Sequence, residues 1–145
     1  MKKVIYGILL LVVIIIGVFF TWYKQNLQML NDIKSFNNEY EGYLDREISG
    51  VDLTTIINKA IENNNKNEIP KNEDGTYKND GESSIEIIIK PTEEGKAYPM
   101  EAFEKVGIRE FTKNFGGVVF KSVKVEYHKN GKISKIYFEM QKKNN

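Results

Sequence analysis

A long uncharged apolar run near the N-terminus constrains the fold of this chain more than any other feature. The run extends from Val4 to Tyr23 and contains no charged side chain. As a helix it rises about 30 Å, which matches the hydrocarbon core of a bilayer, and a helix is the only form in which a lone segment satisfies its backbone groups there. The sequence therefore predicts a single transmembrane anchor at residues 4–23.

The residues that flank the anchor indicate its orientation. Residues 1–3, which include two lysines, precede it, and the amphipathic rings of Trp22 and Tyr23 stand at its far end, where such rings prefer the headgroup level. The positive-inside rule places the N-terminus in the cytoplasm and residues 24–145 outside the cell membrane. A cleaved signal peptide is the alternative, and it is disfavoured because bulky rings stand where a cleavage site needs small residues.

Composition narrows the classes of partner and of chemistry. The chain has 145 residues, 21 of them basic and 20 acidic, so its formal net charge is only +1. This balance argues against a surface that binds nucleic acid. The chain has no cysteine. A disulfide framework, a thiolate metal site and a cysteine nucleophile are therefore excluded.

The apolar pattern continues beyond the anchor. Five apolar side chains recur at helical spacing, namely Leu27, Leu30, Ile33, Phe36 and Tyr40. The pattern predicts that the membrane helix continues outside the membrane as one rod of about 35 to 40 residues. We expect this rod to end near Gly42 and to carry an apolar stripe that other elements cover.

A second helix, a loop and a strand follow. Ser49 and Asp52 form the S-x-x-D pattern of a capping box, and the apolar residues behind them share one helical face. Residues 63–84 contain Pro70 and two Asp-Gly pairs, which are turn formers, and are predicted as a flexible surface loop with a short ribbon. The alternation of Ile85–Lys90 predicts a strand with its isoleucines at 85, 87 and 89 on one face.

The last part of the sequence predicts two short helices and a hairpin. Helical spacing extends over Pro99–Phe115, where Gly107 divides it. Asn130-Gly131 stands between two alternating runs and predicts a two-residue turn. That register gives three pairs: Val125 with Ile136, Val123 with Phe138, and Glu126 with Lys135. The side chains expected to face inward are Val119, Val123, Val125, Tyr127, Ile136, Phe138 and Met140.

Together these elements predict an α+β fold. The apolar stripe of the rod and the apolar face of the sheet can cover each other. We expect the transmembrane helix to extend into a long amphipathic helix packed against a three-stranded antiparallel sheet. The second helix and the short helices in Pro99–Phe115 complete the two layers.

No set of residues indicates a catalytic, metal or cofactor site. His128 is the only histidine, and the predicted register places it on the outward face, where we expect it to be solvated. Glu93-Glu94 and the pair Glu101/Glu104 have the spacing of solvated surface carboxylates. The Asp-Gly pairs do not fit the ligand spacing of an EF-hand, which leaves an irregular calcium loop as the alternative. We expect no catalytic residue, no metal and no cofactor.

The order of elements is similar to that of type IV pilins and pseudopilins. The shared features are a charged N-terminus, a membrane helix that continues as an extracytoplasmic rod, and an antiparallel sheet laid over that rod. Pilin precursors carry a glycine before their cleavage site and a glutamate at the fifth mature position. Here Gly7 corresponds to that glycine, and Val12 is the fifth residue after it. The resemblance implies a subunit of a surface filament or secretion apparatus.

The sequence as a whole favours a membrane-anchored protein without enzymatic activity. Its exterior domain is expected to make protein–protein contacts or to serve as a structural module at the cell surface. A pilin-like subunit is the alternative. Apart from the lipid bilayer the sequence identifies no partner, and its charge balance argues against nucleic acid.

Overall fold

A computed structural model describes residues 2–91 and 95–141 and shows an α+β protein. Its elements in chain order are α1 (Lys2–Glu41), β1 (Glu47–Ser49), α2 (Gly50–Lys66), β2 (Glu86–Lys90), β3 (Tyr98–Pro99), α3 (Met100–Val106), α4 (Ile108–Phe115), β4 (Val119–Tyr127) and β5 (Ile133–Met140). The chain divides into two units, Met1–Ser35 and Phe36–Asn145.

The first unit consists of helix α1 up to Ser35. In the part of the chain that the structure describes, α1 is the one helix with the length and composition to cross a membrane, and its most apolar stretch has a mean hydropathy of 3.0 and is entirely unburied. The stripe predicted beyond the anchor stays exposed at Leu27 (42%) and Leu30 (57%). The expectation that these two side chains are covered is therefore wrong.

The last turn of α1 belongs to the core of the second unit. Tyr40 is only 1% exposed, and its ring lies 5.5 Å from that of Phe36. Asn37 Nδ2 donates to Gly131 O (3.0 Å), and Ile133 N donates to Asn37 Oδ1 (2.9 Å). The predicted core roles of Phe36 and Tyr40 are confirmed, as is the end of the helix just before Gly42.

The sheet has five strands in the order β1-β4-β5-β2-β3. Strand β2 runs parallel to β5, and the other three neighbouring pairs are antiparallel. The predicted three-stranded antiparallel sheet is thus corrected to a mixed one, although the α+β class is confirmed. A parallel pair needs a long crossover connection, and the chain from β3 to β4 supplies it. Strands β1 and β3 have three and two residues, too short for an alternating pattern.

The register of the β4–β5 hairpin agrees with the prediction at one end only. Two pairs are confirmed, Val125 with Ile136 and Glu126 with Lys135. Phe138, however, pairs with Ser122, because Val123 is the extra residue of a β-bulge. A bulge re-aims the side chains around it, and Val123 is 52% exposed where burial was expected. Tyr127, also expected to face inward, is 58% exposed.

The hairpin turn is longer than predicted. His128 N donates to Lys132 O (2.8 Å), and Gly131 N donates to His128 O (3.0 Å). Gly131 has a φ of 88°, the left-handed conformation that glycine adopts without strain. These contacts define a three-residue loop with glycine at its last position, in place of a two-residue turn.

The core lies between the sheet and helices α2, α3 and α4. The predicted capping box of α2 is present, because Asp52 N donates to Ser49 Oγ and Ser49 N donates to Asp52 Oδ2, both at 3.1 Å. The apolar face of α2 is buried at Leu53, Ile56, Ile57 and Ala60. The predicted strand face is buried at Ile85, Ile87 and Ile89. Gly107 separates α3 from α4 as predicted.

Candidate interaction surface

The single histidine is buried, which corrects the prediction of a solvated turn residue. His128 is 7% exposed, and its Nε2 lies 2.7 Å from the backbone oxygen of Ser84. Next to it, Asn130 Nδ2 donates to the backbone oxygen of Glu82 (2.9 Å). These contacts tie the hairpin turn to the loop that precedes β2. The local sequence carries no signal for this burial, because the contacting loop lies 44 residues upstream.

Glu101 is also buried, again contrary to the prediction. It is 2% exposed, and its Oε1 accepts a hydrogen bond from Tyr77 N (2.9 Å). Its Oε2 finds no hydrogen-bond partner among the described residues. Glu104 behaves as predicted, with a side chain 40% exposed and 3.4 Å from Lys71 Nζ. Glu93 and Glu94 lie outside the described residues. Glu101 thus has a structural contact to the loop before β2.

Asp80 organises the end of the predicted loop at residues 63–84. Its Oδ1 accepts hydrogen bonds from the backbone N–H groups of Glu82 (2.9 Å), Ser83 (2.8 Å) and Ser84 (2.8 Å). Partial burial opposes its ionisation, but these bonds outweigh that effect and hold the pKa of Asp80 well below its usual range. The carboxylate is therefore charged and bound to its own loop. Among the described residues, no three potential metal ligands lie close enough together to hold an ion.

A small cleft lies between this loop and β5. Its volume is about 10 Å³, and it is lined by Tyr77, Lys78, Asn79, Ser84, Ile85, Glu86 and Ser134. That volume holds about one water molecule, whereas small-molecule sites have about 300–1,000 Å³. The cleft suits a water molecule and not a substrate.

The second half of β4 forms an open edge of the sheet. Strand β1 pairs with β4 only along Val119–Lys121. Beyond that point the chain turns away at Asp45, which has a φ of 55° and whose N–H donates to Ser122 Oγ (3.1 Å). Among the described strands, none pairs with residues 123–127 on the side away from β5. We call residues 123–127 the β4 edge.

The backbone groups of the β4 edge alternate in direction. The N–H of His128 points toward β5, because it donates to Lys132 O. Along an antiparallel strand, the N–H and C=O groups of successive residues point to opposite sides. Those of Val125 and Tyr127 therefore point away from β5 and toward the open side. In the described part of the chain, no strand pairs with these groups on that side.

The side chains of the β4 edge are apolar on one face and charged on the other. Lys124 Nζ lies 2.5 Å from Glu126 Oε1, and Tyr137 Oη donates to the same carboxylate oxygen (3.2 Å). The hydrogen bond between Lys124 and Glu126 raises the pKa of Lys124 and lowers the pKa of Glu126. Both side chains are therefore charged at neutral pH. Val123 and Tyr127 add exposed apolar surface.

The opposite edge of the sheet is different. It ends in β3, whose two residues, Tyr98 and Pro99, pair with Ile89 and Ile88 of β2. Proline has no N–H to donate, and both its presence and a very short strand limit pairing with other chains. The β4 edge has no proline, but the bulge at Val123 and the charge of Lys124 also limit pairing there. A further strand would therefore pair with its regular part, residues 124–127.

No protein family, no characterised protein and no solved structure matches this chain. The molecule is therefore defined by its own features. It is an α+β protein with a helix that has the length and composition of a membrane span. Among the described strands, residues 123–127 of β4 have no paired strand on the side away from β5.

Proposed function

We propose that this chain is a single-pass membrane protein that acts through protein–protein contacts made by the β4 edge. In this proposal the N-terminus is cytoplasmic, residues 4–23 span the cell membrane, and the second unit lies outside. The observation that carries the contact role is the unpaired β4 edge, with its exposed Val123 and Tyr127. The anchor is supported by the uncharged stretch of α1 at residues 4–23, which is unburied.

An unpaired edge favours a binding role for a physical reason. Its N–H and C=O groups are a template for one more strand. Addition of a strand to such an edge gives affinity through main-chain hydrogen bonds and specificity through the side chains on either face. The β4 edge offers both, because outward backbone groups and a mixed apolar and charged surface occur together.

A contact role also agrees with the chemistry of the described side chains. The Nε2 of His128 is engaged with Ser84 O, and Glu101 is a lone buried carboxylate. Neither lines the cleft between the loop before β2 and β5, which is too small for a substrate. We therefore propose a protein without enzymatic activity.

Cysteine accessibility tests the topology, and the absence of native cysteine makes each variant unambiguous. Lys66 is exposed at the end of α2, and Lys2 precedes the anchor. A membrane-impermeant maleimide added to intact cells is expected to label Lys66→Cys, and to label Lys2→Cys only after permeabilisation. The reverse pattern would overturn the orientation. Recovery of the labelled chain from the medium, cut near Tyr23, would show a cleaved signal in place of an anchor.

Photo-crosslinking tests the contact role in the native membrane. A photoreactive amino acid at position 127 is expected to yield a covalent protein adduct. The matched position is Val51, which is 52% exposed on α2, against 58% for Tyr127. Equal adducts at the two positions, or none at position 127, would contradict a role for the β4 edge.

A pilin-like subunit is the second candidate. It is favoured by one continuous helix of 40 residues, α1, which leads directly into the sheet-bearing unit. Mass spectrometry of the native N-terminus separates the possibilities. A chain that begins at Ile8 supports a pilin-like subunit, intact Met1 supports a simple anchor, and a start near Tyr23 supports a secreted protein.

A further inference from the structure

We infer that the partner strand is the β4 edge of a second copy of this chain, paired antiparallel and centred on Val125. This inference rests on the proposed contact role of the β4 edge and adds the identity of the partner. It follows from the order of side chains along the edge, which is Val123, Lys124, Val125, Glu126, Tyr127.

This order is complementary to itself when it is read in the opposite direction. With Val125 facing Val125 of the second copy, Lys124 stands opposite Glu126 and Glu126 opposite Lys124. This register uses only the regular part of the edge, residues 124–127, because Val123 is the extra residue of the bulge. Directly opposed residues of unlike charge are pairs that stabilise antiparallel strands.

The backbone favours the same register. The N–H and C=O of Val125 point to the open side, because His128, three residues later, donates its N–H toward β5. A symmetric pair centred on Val125 can therefore exchange both hydrogen bonds. Centring on Lys124 or on Glu126 would use residues whose backbone groups point toward β5, and it would place like charges opposite each other.

A contact of this length is weak in solution and stronger in a membrane. An isolated pair of short strands is marginally stable in water. Two chains held in one bilayer meet at a high effective concentration, which increases apparent affinity without a new contact. We therefore expect a reversible dimer of the full chain in vesicles, one that weakens as ionic strength rises because its central charges are exposed.

Charge reversal tests the pairing through its symmetry. In Lys124→Glu each copy carries two acidic residues at the central positions, and in Glu126→Lys each carries two basic ones. Both variants alone are expected to dimerise about tenfold more weakly than the original chain, because two favourable pairs become repulsive. An equimolar mixture of the two variants, and the double variant Lys124→Glu/Glu126→Lys, restore opposite charges and are expected to recover the affinity.

The measurement is Förster transfer between donor-labelled and acceptor-labelled full chains in lipid vesicles, with the dyes on Lys66→Cys. The matched control is Lys113→Glu on α4. Lys113 forms an exposed ion pair with Glu110 at 4.0 Å, and the two side chains are 75% and 51% exposed, respectively. This control is expected to leave dimerisation unchanged. If the mixture and the double variant stay as weak as the single variants, or if the control weakens dimerisation as much, the register is wrong.

A disulfide tests the centre of the pair directly. Hydrogen-bonded residues that face each other across antiparallel strands have Cα atoms about 5.5 Å apart, which lies within the range that a disulfide spans. Val125→Cys is therefore expected to form a disulfide-linked dimer in vesicles under mild oxidation, and Val51→Cys is not. Equal dimer yields from both variants, or none from Val125→Cys, would overturn the pairing.

The photo-crosslink at position 127 separates this inference from the function on which it rests. An adduct of twice the chain mass supports a second copy. An adduct of another mass leaves the contact role of the β4 edge in place and overturns the self-pairing. The absence of any adduct overturns both.

Discussion

Helices α1 and α2 are both rich in apolar residues, but they differ in how far these residues are buried. The apolar stretch of α1 has a mean hydropathy of 3.0, and none of it is buried. On α2 the apolar side chains form one stripe, and Leu53, Ile56 and Ile57 are at most 1% exposed. A helix that is apolar all round needs apolar surroundings on every side, as in a bilayer or a large protein core, whereas a stripe needs one protein surface. Hydrophobic content alone therefore does not predict what surrounds the apolar side chains of a helix. Their distribution around the helix does.

The burial of apolar side chains also changes along helix α1 itself. Leu27 and Leu30 are exposed, but Tyr40 is 1% exposed and packs in the core of the second unit. Burial raises the pKa of the Tyr40 hydroxyl, and the neighbouring charges of Glu39 and Glu62 add to that effect. One helix therefore has the composition of a membrane span at one end and packs in the domain core at the other.

Removal of either end of α1 is expected to show the largest difference in the stability of the second unit. A chain that begins at Lys24 keeps the last turn of α1 and should fold as a soluble domain. A chain that begins at Gly42 loses Tyr40 and the two hydrogen bonds of Asn37 to the hairpin. That loss is on the order of 5 kcal/mol or more, which is comparable to the whole stability of a small domain.

Size-exclusion chromatography and circular dichroism would compare the two truncated chains. The shorter chain is expected to aggregate and to lose its cooperative unfolding transition. If it folded as well as the longer one, the last turn of α1 would not belong to the core, and the contrast between the two ends of α1 would be lost.

Matched isoleucines test the contrast between α1 and α2. Ile56 is 0% exposed and Ile15 is 45% exposed. Ile56→Ala leaves a cavity and is expected to lower the free energy of unfolding by about 2–5 kcal/mol. Ile15→Ala is expected to change it by less than about 0.5 kcal/mol. Urea unfolding of the full chain in detergent, followed by a spectroscopic probe in the second unit, measures both. Similar losses would refute the contrast.

Matched asparagines extend the comparison to polar groups. Asn64 is 0% exposed, its Nδ2 donates to Ile85 O (2.8 Å), and its Oδ1 accepts from Ile85 N (2.9 Å). Asn64→Ala leaves both backbone groups buried without a partner, which is expected to cost about 2–3 kcal/mol. Asn26 on α1 donates only to Trp22 O and is not buried in a core. Asn26→Ala is expected to change stability by less than about 0.5 kcal/mol in the same urea experiment.

A smaller loss for Asn64→Ala than for Asn26→Ala would contradict this assignment. In that case the contact of Asn64 with Ile85 would be replaceable by water. The comparison is informative because both amides donate to a backbone oxygen, whereas only Asn64 is buried and also accepts from a backbone N–H.

Features set by neighbours in the sequence could be predicted. The capping box at Ser49 and Asp52, the buried face of β2, and the division at Gly107 each depend on a few adjacent residues. The pairing of Val125 with Ile136 follows in the same way, because a short turn connects the two strands. These features arise from propensity and periodicity alone.

Features set by distant residues could not be predicted. The burial of His128 depends on Ser84, and that of Glu101 on the loop at Tyr77. The parallel pairing of β2 with β5 depends on a crossover that no local pattern specifies. The bulge at Val123 interrupts an alternation that looks regular in the sequence, and it helps to create the exposed β4 edge. The candidate surface was therefore the part least accessible to sequence reasoning.

The smallest expected effect concerns Asp80, and it depends on pH. The pKa of Asp80 is lowered in the folded chain by hydrogen bonds from Ser84, Glu82 and Ser83, which outweigh the opposing effect of burial. Its charged form therefore stabilises the fold fully above the ordinary aspartate pKa of about 3.9, and this contribution is lost as the pH falls through the lower pKa of the folded state. Asp80→Asn is expected to cost about 1 kcal/mol at pH 7.

The difference between Asp80→Asn and the original chain should begin to shrink as the solution is acidified below pH of about 4, because the carboxyl of the unfolded chain is protonated there. It should disappear once the pH falls below the lower pKa of the folded chain. Asp32→Asn on the exposed surface of α1 removes one charge without this loop and should change stability by less than about 0.5 kcal/mol. Urea unfolding across a pH series measures both. If the loss of stability in Asp80→Asn stayed the same at acidic pH, the charge of Asp80 would not be its cause. The order of the Asp80 loop would then depend on packing.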